Sequence, residues 1–225
     1  MLELKEIKKY YTVGGTTTKA LDGVSVAFRK QEFVAILGPS GSGKTTMLNV
    51  IGGLDNYDSG DLIINGKSTK NFKEADWDAY RNNSIGFIFQ SYNLIPYLTA
   101  LENVLVSMAI SDNKLPDQHD QIAYRLLDYI GINSTKADRF VNQLSGGEQQ
   151  RVAIARALAT NVDIILADEP TGNLDEGMEQ EIVDIFKELA AIHNKCIIVV
   201  THSTEIAKQS DQTFYLKKGA LTAYE

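Results

Sequence analysis

The sequence predicts an α/β fold in which a parallel sheet with crossover helices is interrupted by a helical insert. Apolar strand-like runs alternate with helical patterns in residues 1–90 and 161–225, whereas residues from about 91 to 160 show helical patterns. Period-two segments at the amino terminus add an antiparallel β subdomain. We therefore expect one domain over residues 1–225, with a core of residues 1–90 and 161–225 and a helical subdomain of about 91–160.

The first elements are strands. Alternating apolar residues at Leu2 and Leu4, and again over residues 24–28, predict half-buried strands, and residues 33–37 are more continuously apolar. A helix is expected after the glycine-rich loop of residues 38–46. Residues 62–64 followed by an Asn-Gly pair predict a strand entering a tight hairpin turn.

Later elements carry helix-boundary signals. Thr99 with Glu102 and Ser145 with Glu148 have the spacing of capping boxes, which predicts a helix start at each. Gly131 is expected to end a helix. Strands are then predicted over residues 163–167, 196–201 and 214–216, with a helix at 182–189 between them. This alternation is typical of parallel strands joined by helices.

Composition narrows the possible functions. The chain has 225 residues, 44% of them hydrophobic, a formal net charge of −7 and a pI near 5.1. Such acidity argues against a broad nucleic-acid surface, which needs clustered lysine and arginine. No apolar stretch approaches the roughly 20 residues that cross a bilayer. The single cysteine, Cys196, is expected to be a buried hydrophobe.

Residues 38–46 fit the phosphate-loop pattern G-x-x-x-x-G-K-S/T directly after an apolar strand. Glycines let successive backbone N–H groups face phosphate oxygens, and the helix start adds positive charge. Lys44 would reach the β- and γ-phosphates, and Thr45 would ligate Mg²⁺. A chance glycine-rich turn is the alternative, which the strand–loop–helix context disfavours. The predicted nucleotide-binding residues of this loop are Gly38, Pro39, Ser40, Gly41, Ser42, Gly43, Lys44, Thr45 and Thr46.

A second apolar run, residues 164–167, ends in two adjacent carboxylates. Beside a phosphate loop, Asp168 would hold hydrated Mg²⁺, and Glu169 would polarise the attacking water as general base. Alone, the pair would more often be a solvated strand end or a helix start. The phosphate loop favours the catalytic interpretation.

The segment Leu-Ser-Gly-Gly-Glu-Gln-Gln-Arg at residues 144–151, here called the signature segment, predicts a second phosphate-binding helix start. Gly146 and Gly147 stand in its first turn, where each costs roughly 1 kcal/mol relative to alanine. They suggest that an anion approaches the backbone closely. Since one nucleotide cannot easily use both sites of one chain, the sequence predicts that two chains clamp ATP between them.

Taken together, these motifs resemble the nucleotide-binding subunit of ATP-binding-cassette (ABC) transporters, over nearly the whole chain. The resemblance implies an Mg²⁺-dependent ATPase with a phosphate-loop nucleotide-hydrolase core. It also implies a homodimer on ATP binding, in which the signature segment of one protomer caps the γ-phosphate held by its partner. The residues assigned to the partner's nucleotide are Ser145, Gly146, Gly147, Glu148 and Asp175 of the D-loop.

The same resemblance assigns three further residues. Tyr11 matches the aromatic residue that stacks on adenine, and Gln90 the Q-loop glutamine near Mg²⁺, so that Thr45, Gln90 and water-bridged Asp168 form the expected metal set. His202 matches the switch histidine at the γ-phosphate and joins Glu169 and Gln90 as the expected catalytic residues.

Plainer alternatives remain for these assignments. Tyr10 competes with Tyr11, although the K-x-Y-x-x-G spacing favours Tyr11. Gln90 could be a solvated strand end, and His202 an ordinary exposed histidine. Asn173 departs from the family pattern, where a small residue is common.

Residues 85–104 resemble one branch of the family, the ATPases paired with macrolide-exporter, lipoprotein-release and cell-division (FtsX-type) permeases. The resemblance implies a cytoplasmic protein held on the inner face of the membrane by such a permease, with a groove near residues 91–101 for a permease helix. A soluble ABC protein acting on nucleic acid or ribosomes would need a basic face, a long coiled-coil insert or tandem cassettes, none of which the sequence indicates. A regulator that only binds nucleotide is disfavoured by Glu169, Gln90 and His202.

Overall fold

The computed structural model describes residues 1–111, 113 and 118–224. The strands are β1 (Leu2–Val13), β2 (Thr16–Phe28), β3 (Glu32–Leu37), β4 (Ser59–Ile64), β5 (Lys67–Ser68), β6 (Ile85–Ile88), β7 (Ile164–Asp168), β8 (Cys196–Thr201), β9 (Gln212–Lys217) and β10 (Ala220–Ala223). The helices are α1 (Lys44–Ile51), α2 (Glu74–Ser84), α3 (Ala100–Ile110), α4 (His119–Tyr129), α5 (Ser134–Ala137), α6 (Gly146–Leu158), α7 (Glu176–Ala191) and α8 (Thr204–Gln209), with a 3₁₀ turn at Val141–Gln143.

Two sheets form the framework. A six-stranded sheet has the order β10-β9-β3-β8-β7-β6, in which every neighbouring pair except β10 with β9 is parallel. A four-stranded antiparallel sheet has the order β2-β1-β4-β5. The predicted α/β fold class, with its parallel sheet and amino-terminal antiparallel strands, is confirmed.

Strand β3 shows why the parallel sheet is buried on both faces. All six of its residues are buried, and the five apolar ones alternate between two hydrophobic clusters. Phe33, Ala35 and Leu37 pack with residues of the later helices, whereas Val34 and Ile36 pack with α1 and the antiparallel sheet. A continuous apolar run therefore fits this strand, because both of its faces meet apolar layers.

The parallel strands end at one edge of the sheet. β3 leads into Gly38, β7 ends at Asp168 and Glu169, and β8 leads into His202. Their register places Leu37 opposite Thr201 and Asp168 opposite Val200. Parallel pairing thus brings the phosphate loop, the acidic pair and the histidine together.

Helices α3 to α6 lie in the chain between β6 and β7, where the sequence predicted helices. Both capping boxes are present, because Thr99 and Ser145 accept from Glu102 N and Glu148 N while their own N–H groups donate to those glutamates. Gly131 follows α4 with φ of 80°, as expected of a helix end.

The sequence patterns did not predict α2 and β10. Only Tyr80 of α2 is buried, so that helix has almost no apolar stripe to detect. Cys196 is fully buried, and burial raises the pKa of its thiol to about 12, as expected of a buried hydrophobe. Among the described residues, none of the helices has both the length and the apolar character needed to span a bilayer.

Candidate nucleotide-binding site

Two glycines of the phosphate loop are required by close backbone contacts. A Cβ on Gly38 would lie 2.3 Å from the Leu216 carbonyl oxygen, and one on Gly43 would lie 2.2 Å from that of Ala20. Gly43 also has φ of 105°, which L side chains rarely adopt. The loop is therefore seated against β2 and β9, which fixes the direction of its backbone N–H groups.

Lys44 lies at the centre of the site. Its side chain is 6% exposed, and Nζ donates to the Gly38 carbonyl oxygen at 2.8 Å. Nζ also lies 3.6 Å from Glu169 Oε1 and 3.2 Å from His202 Nε2. A buried ammonium needs partners, and here they come from the three sequence motifs that the sheet edge brings together.

One nitrogen of His202 is shared between two partners. Nε2 lies 3.2 Å from both Lys44 Nζ and Glu169 Oε1, so it can accept from the lysine or donate to the carboxylate, but not both. The His202 N–H donates to Glu169 Oε2 at 3.1 Å. Glu169 itself has φ of 46°, a strained conformation for a glutamate. The hydrogen bond of His202 Nε2 can thus change partner when another charged group enters the site.

Thr45 and Asp168 provide an oxygen pair suited to Mg²⁺. The Thr45 hydroxyl lies 2.9 and 3.2 Å from the two Asp168 carboxylate oxygens. Burial, with a smaller contribution from the Glu169 charge, raises the pKa of Asp168 above its usual value. Hydroxyl and carboxylate oxygens are ligands that Mg²⁺ accepts together with water and phosphate oxygens. The donor set therefore fits the metal.

A cleft of about 380 Å³ opens over the phosphate loop. Most of the sequence-predicted nucleotide-binding and catalytic residues line it: Tyr11, Ser40, Gly41, Ser42, Gly43, Lys44, Thr45, Thr46, Gln90, Asp168, Glu169 and His202. The Ser42 hydroxyl beside this cleft is buried without a hydrogen-bond partner, as expected of a group that meets a ligand. Gly38 and Pro39, the first two residues of the loop, do not line the cleft, and their carbonyl oxygens accept from Lys44 Nζ.

Tyr11 and Tyr10 occupy different surroundings. Tyr11 lines the cleft, and its hydroxyl donates to Asp55 Oδ2 at 2.5 Å, while Lys9 Nζ donates to the other oxygen of Asp55 at 2.7 Å. The Tyr10 hydroxyl instead donates to Asp22. Of the two tyrosines, Tyr11 is therefore the one that lines the cleft over the phosphate loop.

Gln90 connects the cleft to the loop after β7. Its carbonyl oxygen accepts from Asn173 Nδ2 at 3.2 Å, and its side-chain nitrogen lies 3.3 Å from where a Cβ on Gly172 would stand. Tyr92 and Asn93, two and three residues after Gln90, have positive φ, and their carbonyl oxygens accept from the Arg156 guanidinium of α6. This loop is thus held from both the sheet edge and the helical insert.

The signature segment lies elsewhere. Ser145, Gly146, Gly147 and Glu148 are not among the described residues that line the cleft. Ser145 caps α6, and Asp175 caps α7 by accepting from Met178 N at 3.0 Å. Gly147 has a packing reason within its own chain as well, because a Cβ there would lie 2.2 Å from Met178 Sδ. Gly146 is exposed, and a Cβ there would lie 3.0 Å from the Tyr92 hydroxyl.

Several supporting residues had no signal in the sequence patterns. Thr18 and Ala20 of β2 line the cleft, and Asp55 holds both Lys9 and Tyr11. Asn173 and Arg156 hold the Gln90 loop through backbone carbonyls. These contacts join segments distant in the chain, so local periodicity cannot reveal them.

A parallel sheet whose strands end in a glycine cradle, an acidic pair and a histidine is the architecture of a phosphate-loop ATPase. The chain belongs to the ABC transporter family, whose model matches residues 21–172. It is an ATP-binding and ATP-hydrolysing cassette of that family.

Relatives align over the whole chain. The lipoprotein-releasing system ATP-binding protein LolD 1 of Rhodopirellula baltica is 42% identical over 221 residues, which cover 98% of this chain and 96% of that protein. The macrolide export ATP-binding/permease protein MacB of the same organism is 40% identical over 220 residues, which cover 97% of this chain and 32% of that protein.

Solved structures of ABC transporter cassettes have the same fold as this chain. The dimeric structure of the ABC transporter cassette MJ0796 of Methanocaldococcus jannaschii has a TM-score of 0.92 and 41% identity, covering 100% of this chain and 98% of that chain. A second dimeric structure of the same cassette, in a post-hydrolysis state bound to ADP and Pi, has a TM-score of 0.92, 40% identity and the same coverage. The fold and the family are therefore shared with a cassette seen as a dimer.

Proposed function

We propose that this protein hydrolyses ATP as a head-to-tail dimer and thereby powers a membrane permease of the macrolide-exporter, lipoprotein-release or FtsX-type branch. The observation that carries the proposal is the division of its phosphate-binding groups between two surfaces. The cleft holds the phosphate loop, the acidic pair and His202, whereas the exposed start of α6 lies outside it.

The residues of the cleft have distinct chemical roles. Tyr11 stacks on the base, and the loop N–H groups with Lys44 bind the phosphates. Glu169 accepts a proton from the attacking water, and its contact with His202 N fixes the carboxylate. His202 Nε2 and Gln90 contact the γ-phosphate and the water. Developing negative charge on the γ-phosphate is stabilised by Lys44, which is already desolvated.

Thr45, Asp168 and Gln90 are the residues that would hold Mg²⁺, Asp168 through water. The bound metal supplies charge neutralisation at the phosphates. The tight Thr45–Asp168 pairing keeps both oxygen donors at the mouth of the loop.

Ser145 of one protomer completes the site of its partner in this proposal. Its capping geometry leaves the first turn of α6 exposed at Gly146, and a helix start attracts anions. The dimeric structures of the MJ0796 cassette support this arrangement. Residues 91–160 act as the helical subdomain that carries Ser145 towards the partner's nucleotide, and the Gln90 loop links its movement to the cleft.

A second cleft is suited to the permease. It has a volume of about 300 Å³, lies between the sheet edge and the helical insert, and is mostly apolar. Phe87 and Phe89 stack with ring centroids 5.4 Å apart in its wall, and Ile110, 66% exposed, stands at its rim. It shares Asn93 with the stretch of residues 91–101 in which the sequence placed a groove. An amphipathic cytoplasmic helix of the permease fits such a cleft.

Ile110→Glu tests the permease proposal. We expect it to abolish co-purification with a multi-span permease from detergent-solubilised membranes while basal ATPase activity stays within about twofold, because Ile110 is remote from the phosphate loop in the sequence and does not line its cleft.

Ile192→Glu is the matched control, since Ile192 is 67% exposed at the end of α7 and does not line that second cleft. If the Ile110→Glu and Ile192→Glu chains co-purified with equal amounts of permease, the docking site at the second cleft would be contradicted. Capture of ribosomes or DNA by the unmodified chain, without a permease, would contradict the proposed function.

A further inference from the structure

The first turn of α6 carries a negative charge where the proposed function requires attraction for an anion. Glu148 closes the capping box, and its Oε2 accepts from Ser145 N at 2.8 Å. The carboxylate is ionised at neutral pH, since its contacts with Lys136 and with Ser145 lower its pKa. This charge lies in the same helical turn as the exposed Gly146.

The charge balance decides whether this surface attracts or repels phosphate. A helix start contributes roughly half a positive charge, so an ionised glutamate in the first turn changes the local sum to about half a negative charge. One full positive charge beside the glutamate is needed to restore the attraction for phosphate. Arg151, the next basic residue of α6, is already paired with Glu181 of α7.

Lys136 supplies that positive charge. Its Nζ lies 2.6 Å from Glu148 Oε1, the oxygen that Ser145 does not use. The glutamate side chain is 16% exposed and that of the lysine 37%, so solvent screens this pair less than a fully exposed one. Each carboxylate oxygen of Glu148 thus has one dedicated partner.

The position of Lys136 is set by the fold. It belongs to the single-turn helix α5, where its backbone N–H donates to the Asn133 side chain at 3.0 Å. The next residue, Ala137, is fully buried in the core of the helical insert. The anchored turn holds Lys136 beside the start of α6. Its ammonium group can therefore pair with Glu148 at a small cost in conformational entropy.

We propose that Lys136 is a positioning residue that neutralises Glu148 and thereby sets how tightly the signature segment closes on the triphosphate of the partner's ATP. This inference rests on the proposed head-to-tail dimer. It assigns Lys136 no contact with nucleotide in its own chain. Its effect depends on Glu148, because a neutral side chain at position 148 leaves no charge to cancel.

The test measures ATP-driven dimerisation in chains that carry Glu169→Gln. Dimer dissociation constants are determined by analytical ultracentrifugation at saturating Mg²⁺ and ATP for Lys136→Gln, Glu148→Gln and the double variant. We expect Lys136→Gln to weaken the dimer about tenfold, because an uncompensated like charge faces the phosphate. In the Glu148→Gln background, the same lysine substitution should change the dimer constant less than twofold.

Lys30→Gln is the matched control, because Lys30 Nζ also pairs with one carboxylate, that of Asp163, at 3.1 Å. This pair lies at the starts of β3 and β7, and neither residue belongs to the signature segment. The Lys30→Gln substitution should leave dimerisation unchanged. Lys136→Arg, which keeps the charge, should preserve the dimer within about threefold. Monomer ATP affinity, measured with a fluorescent analogue, should be the same in all variants, which separates this role from a loss of folding.

Two results would overturn the inference alone: dimerisation that is insensitive to Lys136→Gln, or an equal loss with and without the Glu148 charge. If the Glu169→Gln chain binds ATP but does not dimerise in any background, the proposed function fails and this inference fails with it.

Discussion

The phosphate-loop edge and the signature segment each present a helix start, which suits phosphate, but they differ in how many other groups surround it. At the edge, Lys44 has three partners from separate motifs, and a cleft surrounds them. At the signature segment, Ser145 and Glu148 pair with each other and Glu148 also pairs with Lys136, while the start of the helix is exposed. One surface is assembled within the chain, whereas the other presents donors that need a second molecule.

The largest predicted effect is at the complete surface. Glu169→Gln should lower ATP turnover by about 10²–10⁴-fold, because general-base catalysis contributes that much. The amide oxygen can still accept from His202 N, so ATP binding should persist and a stable ATP-bound dimer should appear on gel filtration. Turnover is measured by phosphate release.

Asp163→Asn is the control for that change, because Asp163 precedes the same strand at its opposite end. It should hydrolyse ATP at a normal rate. Near-normal turnover of the Glu169→Gln chain would remove Glu169 from its proposed role.

Ser145→Arg tests the incomplete surface. The long side chain should block the exposed helix start and lower turnover about 100-fold or more, while monomer ATP affinity changes little because Ser145 lies outside its own cleft. Loss of the cap should cost about 1 kcal/mol of stability, visible as a small drop in thermal midpoint.

Mixing distinguishes the two surfaces further. A Lys44→Ala chain keeps its signature segment, so combining it with the Ser145→Arg chain should restore activity that neither has alone. If the Ser145→Arg chain failed to bind ATP as a monomer, the division between the surfaces would be wrong.

Asn173→Ala addresses the loop that joins the two surfaces. The substitution removes the hydrogen bond to the Gln90 carbonyl oxygen, worth about 0.5–1.5 kcal/mol. We expect kcat to fall roughly two- to tenfold with KM for ATP unchanged, as judged by steady-state kinetics. Asn194→Ala also removes a side-chain hydrogen bond, the one from Gln31, but at an exposed turn after α7, so it should leave kcat and KM unchanged. An effect on KM alone would place Asn173 in nucleotide binding instead.

The smallest predicted effect is on stability. Burial raises the pKa of Asp168, so its ionisation disfavours the folded state as pH rises through that pKa. Asp168→Asn should therefore raise the nucleotide-free Tm at pH 7 by a small amount. The difference in Tm between the variant and the wild type should shrink as pH falls towards the pKa of an unfolded aspartate, about 3.9, because the wild-type carboxyl becomes neutral in the folded state. Differential scanning calorimetry across this range measures it, and a lower Tm for the variant at pH 7 would contradict it.

The same two surfaces show what a sequence can predict. Residues 38–46 and the Asp168–Glu169 pair are local patterns at the ends of apolar runs, so the parallel sheet and its active edge follow from them. Capping boxes likewise gave the starts of α3 and α6. The contact between Gly147 and Met178 could not be predicted in this way, because Met178 belongs to a helix about 30 residues further along the chain.

Long-range polar contacts were also beyond the sequence patterns. Lys136 with Glu148, Asn173 with Gln90 and Arg156 with Tyr92 each join residues in different elements. A lysine or an asparagine on a polar helix or loop gives no sign of which carboxylate or carbonyl it will meet. Only the packed fold brings such partners within hydrogen-bond distance.

The most direct test of the shared site is a crystal structure of the Glu169→Gln chain with Mg²⁺ and ATP. We predict two copies related by a twofold axis, with each γ-phosphate lying between Lys44 of one protomer and Ser145 of its partner. A nucleotide enclosed by a single chain, with Ser145 facing solvent, would contradict the head-to-tail dimer.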